Sequence, residues 1–245
     1  MNARSPRTIL IIRLGRLGDL VLTAAMTRET KRAFPGAAVT FVTAPVYESV
    51  AQLLPGVDTV VAIPKTGLSE LREKVAASLP DSFDWIIDLH GNARSKTIAG
   101  TLRADRRSTY PKDTVRRRIL VWFKRGRGKG EPVWRRYLAP LEKAGVTPEY
   151  SPPALLRASG GGLPGAIVLA PGAGRPTKQW PVNNFRSLAR NLLEAFPTRP
   201  IVLAGGPGEE GLIAQIDPGE PYRVHTLLAA PFPALAAHLQ DASIV

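Results

Sequence analysis

Residues 167–181 read IVLAPGAGRPTKQWP. Four apolar residues run into Pro171, Gly172, Ala173 and Gly174, then Arg175, Thr177 and Lys178, and the stretch stops at Trp180-Pro181. A helix-like segment follows over 182–196. A buried strand, a small-residue loop, a hydroxyl, a lysine and a helix start are the parts of a phosphate cradle. Glycines let the main chain approach an anion closely, and the free N–H groups of a helix start point at it. Thr177 adds a hydroxyl donor and Lys178 a point charge. The P-loop pattern G-x-x-x-x-G-K-[ST] is absent. An ordinary strand-to-helix loop with surface charge fits the same residues equally well.

The same plan of strand, glycine loop and helix opens the other half of the chain, where residues 8–13 (TILIIR) lead into a loop over 14–19 and a helix over 20–33. Strands are expected at 39–43, 59–63 and 83–89, with helices near 47–54 and 68–79 and another beginning at 95–102. Pro132 to Ala144 reads as a helix. A second series has strands at 166–170 and 201–204 and helices at 182–196, 209–216 and 234–241. Residues 243–245 look like the first of another strand. Alternating apolar strands and helices predict parallel sheets covered on both faces. The fold class is therefore α/β, with two such series. Residues 146–164, rich in Pro, Gly and Ser, are the linker candidate. The expected division is a first domain over 1–150, a linker over 151–165 and a partial second domain over 166–245.

The chain has 245 residues, 44% of them hydrophobic, enough to bury a substantial core, and no cysteine. Disulfides and thiolate metal sites are thereby excluded. No run of about 20 apolar residues suggests a membrane span, and Arg13 interrupts the first apolar stretch, which argues against a signal peptide. The expected address is the cytoplasm. The formal charge is +13. Residues 103–136 hold 13 Lys and Arg against 3 acidic residues, a net of +10, so only +3 is spread over the rest. Such a patch suits phosphate on an acceptor, an anionic lipid or a nucleic acid. A solvated loop without a partner is the plainer alternative. Tyr110, Trp122, Phe123, Trp134 and Tyr137 are scattered and form no stacking pattern, so a nucleic-acid-binding module has the charge alone in its favour.

Four sites can bear chemistry. Gly15 and Gly18 permit a tight turn after the first strand, and Asp19 stands where a helix begins. Spacing favours a helix cap there over a general base. Gly172, Thr177 and Lys178 form the second site. Glu209, after the turn Gly205-Gly206-Pro207-Gly208, suits either a ribose diol or a first-turn acid favoured by the helix dipole. His90, Asn92 and Arg94 follow the strand at 83–89 and suit a polar acceptor. His225 and His238 stand near apolar residues and read as structural. No Asp-x-Asp pair and no metal-ligand spacing is present, so neither a metal nor a cofactor is expected.

In order, ILIIRLGRLGDLVLTAAM (9–26), FDWIIDLHGNARS (83–95), WRRYLAPLEKAGV (134–146), APGAGRPTKQWP (170–181) and LAGGPGEE (203–210) resemble glycosyltransferase family 9, the lipopolysaccharide heptosyltransferases. The resemblance covers almost the whole chain. It implies a GT-B architecture of two Rossmann-like domains, the first for the acceptor and the second for the nucleotide sugar. It also implies inverting, metal-independent transfer of heptose from ADP-heptose to the lipopolysaccharide inner core. Asp19 matches the catalytic base, Thr177 and Lys178 match diphosphate-binding residues, and Glu209 matches a ribose-binding acid. The implied partners are a nucleotide-sugar donor, a phosphorylated lipid or oligosaccharide acceptor and the anionic inner-membrane surface, and no nucleic acid. The family pattern continues into an Asp-Ser/Thr-Gly-x-x-His segment, and this chain stops at Val245, short of it. The resemblance therefore implies a truncated second domain that binds ADP-heptose weakly or not at all, or a non-catalytic relative.

Overall fold

The computed structural model describes residues 5–111 and 131–245. It divides into two compact units, Met1–Leu156 and Arg157–Val245. Of the basic stretch at 103–136, residues 112–130 lie outside the described residues, and with them Trp122 and Phe123.

In the first unit, β1 (Thr8–Ile12) is buried from Ile9 to Ile12 without a polar alternation. Only a central strand with both faces covered needs such a run, and each isoleucine so buried contributes about 1.5–3 kcal/mol. Around it stand β2 (Ala38–Thr43), β3 (Thr59–Ala62), β4 (Ser82–Asp88) and β5 (Arg103–Thr109), all parallel, in the order β3-β2-β1-β4-β5. The helices between them are α1 (Leu17–Leu22), α2 (Ala24–Ala33), α3 (Glu48–Ala51), α4 (Leu68–Ser78) and α5 (Ala93–Thr101), with a 3-10 turn at Pro45–Tyr47; α6 (Val133–Glu142) follows β5. The register sets Ile12 beside Val42 and Asp88. Chain order reverses between β1 and β4, and loops after such a pair of strands diverge to leave a crevice.

Strand β5 escapes the sequence reading because it is polar. Its residues alternate between exposed and half-buried, which suits the edge of a sheet, where charge discourages pairing with another chain. The Arg106 guanidinium lies 4.4 Å from the centre of the Trp85 ring, covering the indole.

The segment after α6 is fastened to α2. Arg28 donates to the carbonyls of Ser151 and Pro152 at 2.8 and 3.1 Å, and Arg32 to that of Thr147 at 2.8 Å. Glu29, fully buried, accepts from the Glu149 N–H at 3.0 Å and from Arg32 at 2.8 Å. Burial alone would raise this carboxyl. The Glu149 N–H, the Arg32 hydrogen bond and the charges of Arg32 and Arg28 outweigh it and hold the pKa below the ordinary value. The Leu156 N–H donates to the Leu53 carbonyl at 2.8 Å.

The second unit has β6 (Ile167–Leu169), β7 (Ile201–Gly205) and β8 (Val224–Leu228), parallel and in that order. Its helices are α7 (Val182–Ala195), α8 (Glu210–Ile216) and α9 (Phe232–Asp241). One face of the sheet packs Leu169, Ile201 and Leu203 with Ala189, Leu193 and Ile213; the other packs Val168, Val202 and Ala204 with Leu235 and Leu239. Ile244 forms an isolated parallel bridge with Ile167, on the side of β6 away from β7. The unit's first residues are tied to α9: Arg157 pairs with Asp241, and the Ala158 N–H donates to the Gln240 side chain at 2.9 Å.

Candidate functional site

In the first unit the end of β1 turns sharply. Arg13 follows four buried apolar residues and is itself 5% exposed. A buried guanidinium needs partners, and it has several. Its Nη2 donates to Asp19 Oδ2 at 2.5 Å, its Nη1 to the Leu89 carbonyl at 2.6 Å, and its Nε to the Gly15 carbonyl at 3.3 Å. It also lies 5.5 Å from the centre of the Tyr137 ring. Burial pushes the Tyr137 phenol up to about 12, with Arg13 pulling it partly back, so the ring presents a neutral face to the guanidinium.

The structure corrects the expectation that Asp19 caps a helix. The N-cap of α1 is Arg16, no side chain caps that helix, and Asp19 lies one turn in. One of its carboxylate oxygens is held by Arg13 instead, with the side chain 30% exposed. Arg16 holds φ 64° and ψ 110°, a region that disfavours a side chain. This strained residue sits between Gly15 and Leu17, in the turn that presents Asp19. A Cβ on Gly15 would make only ordinary contact, 3.8 Å from the Tyr47 ring and 4.0 Å from His90 Cε1, which places both rings beside the turn.

The loop after β4 stands beside this turn. Asp88, 3% exposed, accepts from the N–H groups of His90 and Gly91 at 2.8 and 2.7 Å and from the Ser95 hydroxyl at 2.8 Å. Asn92 is the N-cap of α5: its side chain accepts from the Ser95 N–H at 2.8 Å, and the Ser95 hydroxyl accepts from the Asn92 N–H at 3.0 Å. Arg94 donates to the carbonyls of Ile63 and Pro64, and burial lowers its pKa. So Gly15, Asp19 and His90 come together, joined through Arg13 and Leu89. Asn92 and Arg94 hold the loop to its own helix and to the end of β3. Gly18 lies in α1, with open space around it.

Sequence reasoning missed Arg13, Asp88, Ser95 and Tyr137. A signal existed for the first two: a charge placed directly after the buried runs ILII (9–12) or WII (85–87) has no water to solvate it and demands a partner. Ser95 and Tyr137 had no signal beyond their place in helical patterns.

In the second unit the loop after β6 and the turn after β7 meet. They border a hollow of about 400 Å³ lined by Val168, Gly172, Gly206, Glu209, Leu227 and Leu235, among others. Glu209 is the N-cap of α8, and its carboxylate turns back to accept from the Gly206 N–H at 2.7 Å. A Cβ on Gly172 would collide with both Glu209 carboxylate oxygens. With glycine there, the carboxylate occupies that space; a side chain would make it move aside. Thr177 and Lys178 lie in a 3-10 turn, Pro176–Lys178, with exposed side chains, and neither lines the hollow. The structure thus joins Gly172 to Glu209 and leaves Thr177 and Lys178 at the rim of the loop. The hydrogen bond from the Leu163 N–H to His238 Nδ1, 3.4 Å long, gives that histidine a packing role, while His225 is exposed on β8.

A larger hollow, about 530 Å³, lies at the opposite edge of the first sheet, between Arg7, Phe34, Trp85 and Arg106. It is at the amino ends of the strands, beside the stacked Arg106 and Trp85, and none of the Asp19, Asp88 or His90 groups lines it. No helix among the described residues is long and apolar enough to cross a membrane.

No family model and no curated protein matches the sequence. Solved structures do match the fold over 96% of the chain. A glycosyl transferase family 9 protein from Veillonella parvula is 19% identical, with a TM-score of 0.75 over 73% of its length. The E. coli heptosyltransferase WaaC, solved with ADP-2-deoxy-2-fluoro heptose, is 19% identical, with a TM-score of 0.76 over 80% of its length. E. coli ADP-heptose LPS heptosyltransferase II is 17% identical, with a TM-score of 0.70 over 77% of its length. The chain therefore has an α/β fold with parallel sheets in both units, of the GT-B class to which these heptosyltransferase structures belong.

Proposed function

We propose that the protein is a glycosyltransferase of family 9 type, transferring heptose from ADP-heptose to a lipopolysaccharide inner-core acceptor with inversion and without a metal. The observation that supports this most directly is the Asp19 carboxylate held by Arg13 at the carboxyl edge of the first sheet, beside the β1–β4 reversal. The five motifs in family order and the fold likeness support the same reading. Fold alone does not determine function.

The chemistry follows from the residues. Asp19 takes the proton of the acceptor hydroxyl as that oxygen attacks the anomeric carbon of the donor. ADP leaves from the opposite face, which inverts the anomeric centre. The charge growing on the diphosphate needs donors. In this reading Lys178, Thr177 and the N–H groups of the 170–175 loop supply them, and Glu209 accepts from the ribose hydroxyls. His90 and the neighbouring loop contact the acceptor. Arg103, Arg106 and Arg107 on β5, toward the amino ends of the strands, add positive charge for an anionic membrane surface rather than for the acceptor itself.

Transfer to a lipopolysaccharide acceptor ending in Kdo, followed by NMR of the new anomeric linkage, tests the proposal. The expected product carries inverted configuration and appears with chelator present. Failure to release ADP in the presence of donor and acceptor would sink it. Calorimetric titration with ADP-heptose tests the donor half separately. An affinity in the micromolar range supports the donor assignment and overturns the weak binding expected from the sequence.

A further inference from the structure

Asp19 has two carboxylate oxygens, and only one has a hydrogen bond among the described residues: Oδ2, from Arg13 at 2.5 Å. The side chain is 30% exposed, so the carboxylate is neither buried nor free to turn. Arg13 in turn is fixed from three directions. Its Nη1 is on the Leu89 carbonyl, its Nε is on the Gly15 carbonyl, and the Tyr137 ring covers its face. These partners belong to the end of β4, the β1–α1 turn and α6. A planar guanidinium fork spreads its donors over three nitrogens and can reach three separated acceptors while its face meets a ring; an ammonium carries its three donors on one atom and has no planar face. The site thus uses an arginine where charge balance alone would need only a cation.

We propose that Arg13 is the positioning residue of this site: it holds Oδ2 and leaves Oδ1 as the oxygen that takes the acceptor proton. This rests on Asp19 being the base of the transfer proposed above. In the step, the acceptor O–H bond breaks and its proton goes to Asp19 Oδ1. The hydroxyl oxygen forms the new bond to the anomeric carbon. The bond from that carbon to the diphosphate breaks, and its electron pair leaves with ADP. A one-sided grip on the carboxylate fixes the direction from which Oδ1 meets the hydroxyl, and small misplacements of such a group cost rate steeply. Arg13 also links the Asp19 turn to Leu89, the residue before His90, so the base and the acceptor loop share one anchor.

Two measurements test it together. The first is kinetic, on Arg13→Lys, Arg13→Met, Asp19→Asn and the double variant Arg13→Met/Asp19→Asn. Arg13→Met is expected to lower kcat about 100-fold and Arg13→Lys about 10-fold, each with donor KM within about twofold of wild type. Added to Asp19→Asn, Arg13→Met is expected to cost less than about threefold more, because residues that act as a unit are not additive. A full second loss in the double variant, or a loss confined to donor KM, overturns the proposal. The second is NMR of the guanidinium protons, which needs no turnover. In wild type the Arg13 Nη2 protons are expected downfield in a charge-assisted hydrogen bond, and in Asp19→Asn this shift is expected to collapse. An unchanged Arg13 pattern in Asp19→Asn overturns the proposal even if Arg13→Met fails to fold. Absence of transfer by wild type refutes the transferase reading and the proton step with it, while the NMR result separately decides whether Arg13 fixes Asp19.

Discussion

Around Asp19 the carboxylates are already held by the protein, Asp19 by Arg13 and Asp88 by two N–H groups and Ser95. Around Gly172 the protein offers mostly backbone, one carboxylate and an open hollow of about 400 Å³. Both sites stand at the carboxyl edge of a parallel sheet, after a strand and a glycine-containing loop. They differ in what fixes them. The first is built from side chains that have chosen their partners, so its geometry exists before any ligand arrives. The second is built from glycines that keep space clear, with its cation, Lys178, exposed at the rim. A proton-transfer group gains from being fixed in advance. In the transfer proposed above the second loop admits a diphosphate, and such a loop gains from leaving its N–H groups and its lysine unspent.

The sharpest way to break this comparison is Asp19→Ala. In a transfer assay it should lower turnover by about 10³-fold or more, while calorimetry finds donor affinity unchanged, because the loop at Gly172 belongs to the other unit. Near-wild-type turnover would remove Asp19 from the chemistry and leave the first site a structural ion pair.

Substituting two glycines of the second unit separates space kept for a carboxylate from space filled by backbone. Gly172→Ala puts a methyl on the Glu209 carboxylate, the far end of a flexible side chain that can move aside. Stability should change by less than about 1 kcal/mol. ADP affinity should fall about tenfold, since Glu209 can no longer occupy its place. Gly162→Ala instead collides with the Ala237 carbonyl, which cannot yield without shifting α9. It should destabilise the unit by about 2 kcal/mol, within the range for overpacking. Urea midpoints and ADP titrations on both variants distinguish the two; equal loss of stability in both would mean the Glu209 seat is ordinary packing.

How much of this was legible follows from where polarity sits. The buried runs at β1, β4, β6 and β7 announced themselves, and so did the glycine loops between strand and helix. Strands β5 and β8 did not. RADRRST is polar along its length, and VHTLL alternates poorly, because each lies at a sheet edge where one side needs no apolar partner. Asp19 was visible as a carboxylate at a helix start, but spacing alone favoured a cap. What takes up the carboxylate is Arg13, six residues earlier; its place after a buried run signals a need for partners, but its other bond, to the Leu89 carbonyl seventy-six residues on, leaves no local trace. Glu209 was visible as an acid after a turn; that its carboxylate rests in the space left by Gly172 was not, since the two are brought together by the pairing of β6 with β7.

Glu29 tests whether the first unit's fixed character extends beyond the site. Its folded pKa is lowered, so its contribution is fully present above the ordinary carboxyl value of 4.5 and is lost as pH falls through the lowered folded value. Glu29→Gln should cost about 2–4 kcal/mol at pH 7, as expected for one partner removed from a buried charged cluster. It should also flatten the fall of stability on the acid side. Urea denaturation from pH 7 down to pH 3 measures both. An unchanged acid limb would place the pH dependence elsewhere, with Asp58, whose pKa is also lowered against burial by Lys31 and the Val39 N–H, as the next group to substitute.

The smallest effect is expected at Arg16, and it has the opposite sign. Its φ of 64° with ψ of 110° places a side chain where glycine is at home, at a cost of order 1–3 kcal/mol. Its side chain is exposed, so little packing is lost on removal. Glycine relieves the strain but adds freedom to the unfolded chain, which offsets part of the gain. Arg16→Gly should therefore raise stability by about 1 kcal/mol. The same change loosens the turn that carries Asp19, two residues beyond Leu17. If the first site depends on a turn held under strain, kcat should fall a few-fold while the urea midpoint rises. A variant more stable and equally active would show that the grip of Arg13 alone is enough to hold the carboxylate, and that the strained turn is only the shortest path from β1 to α1.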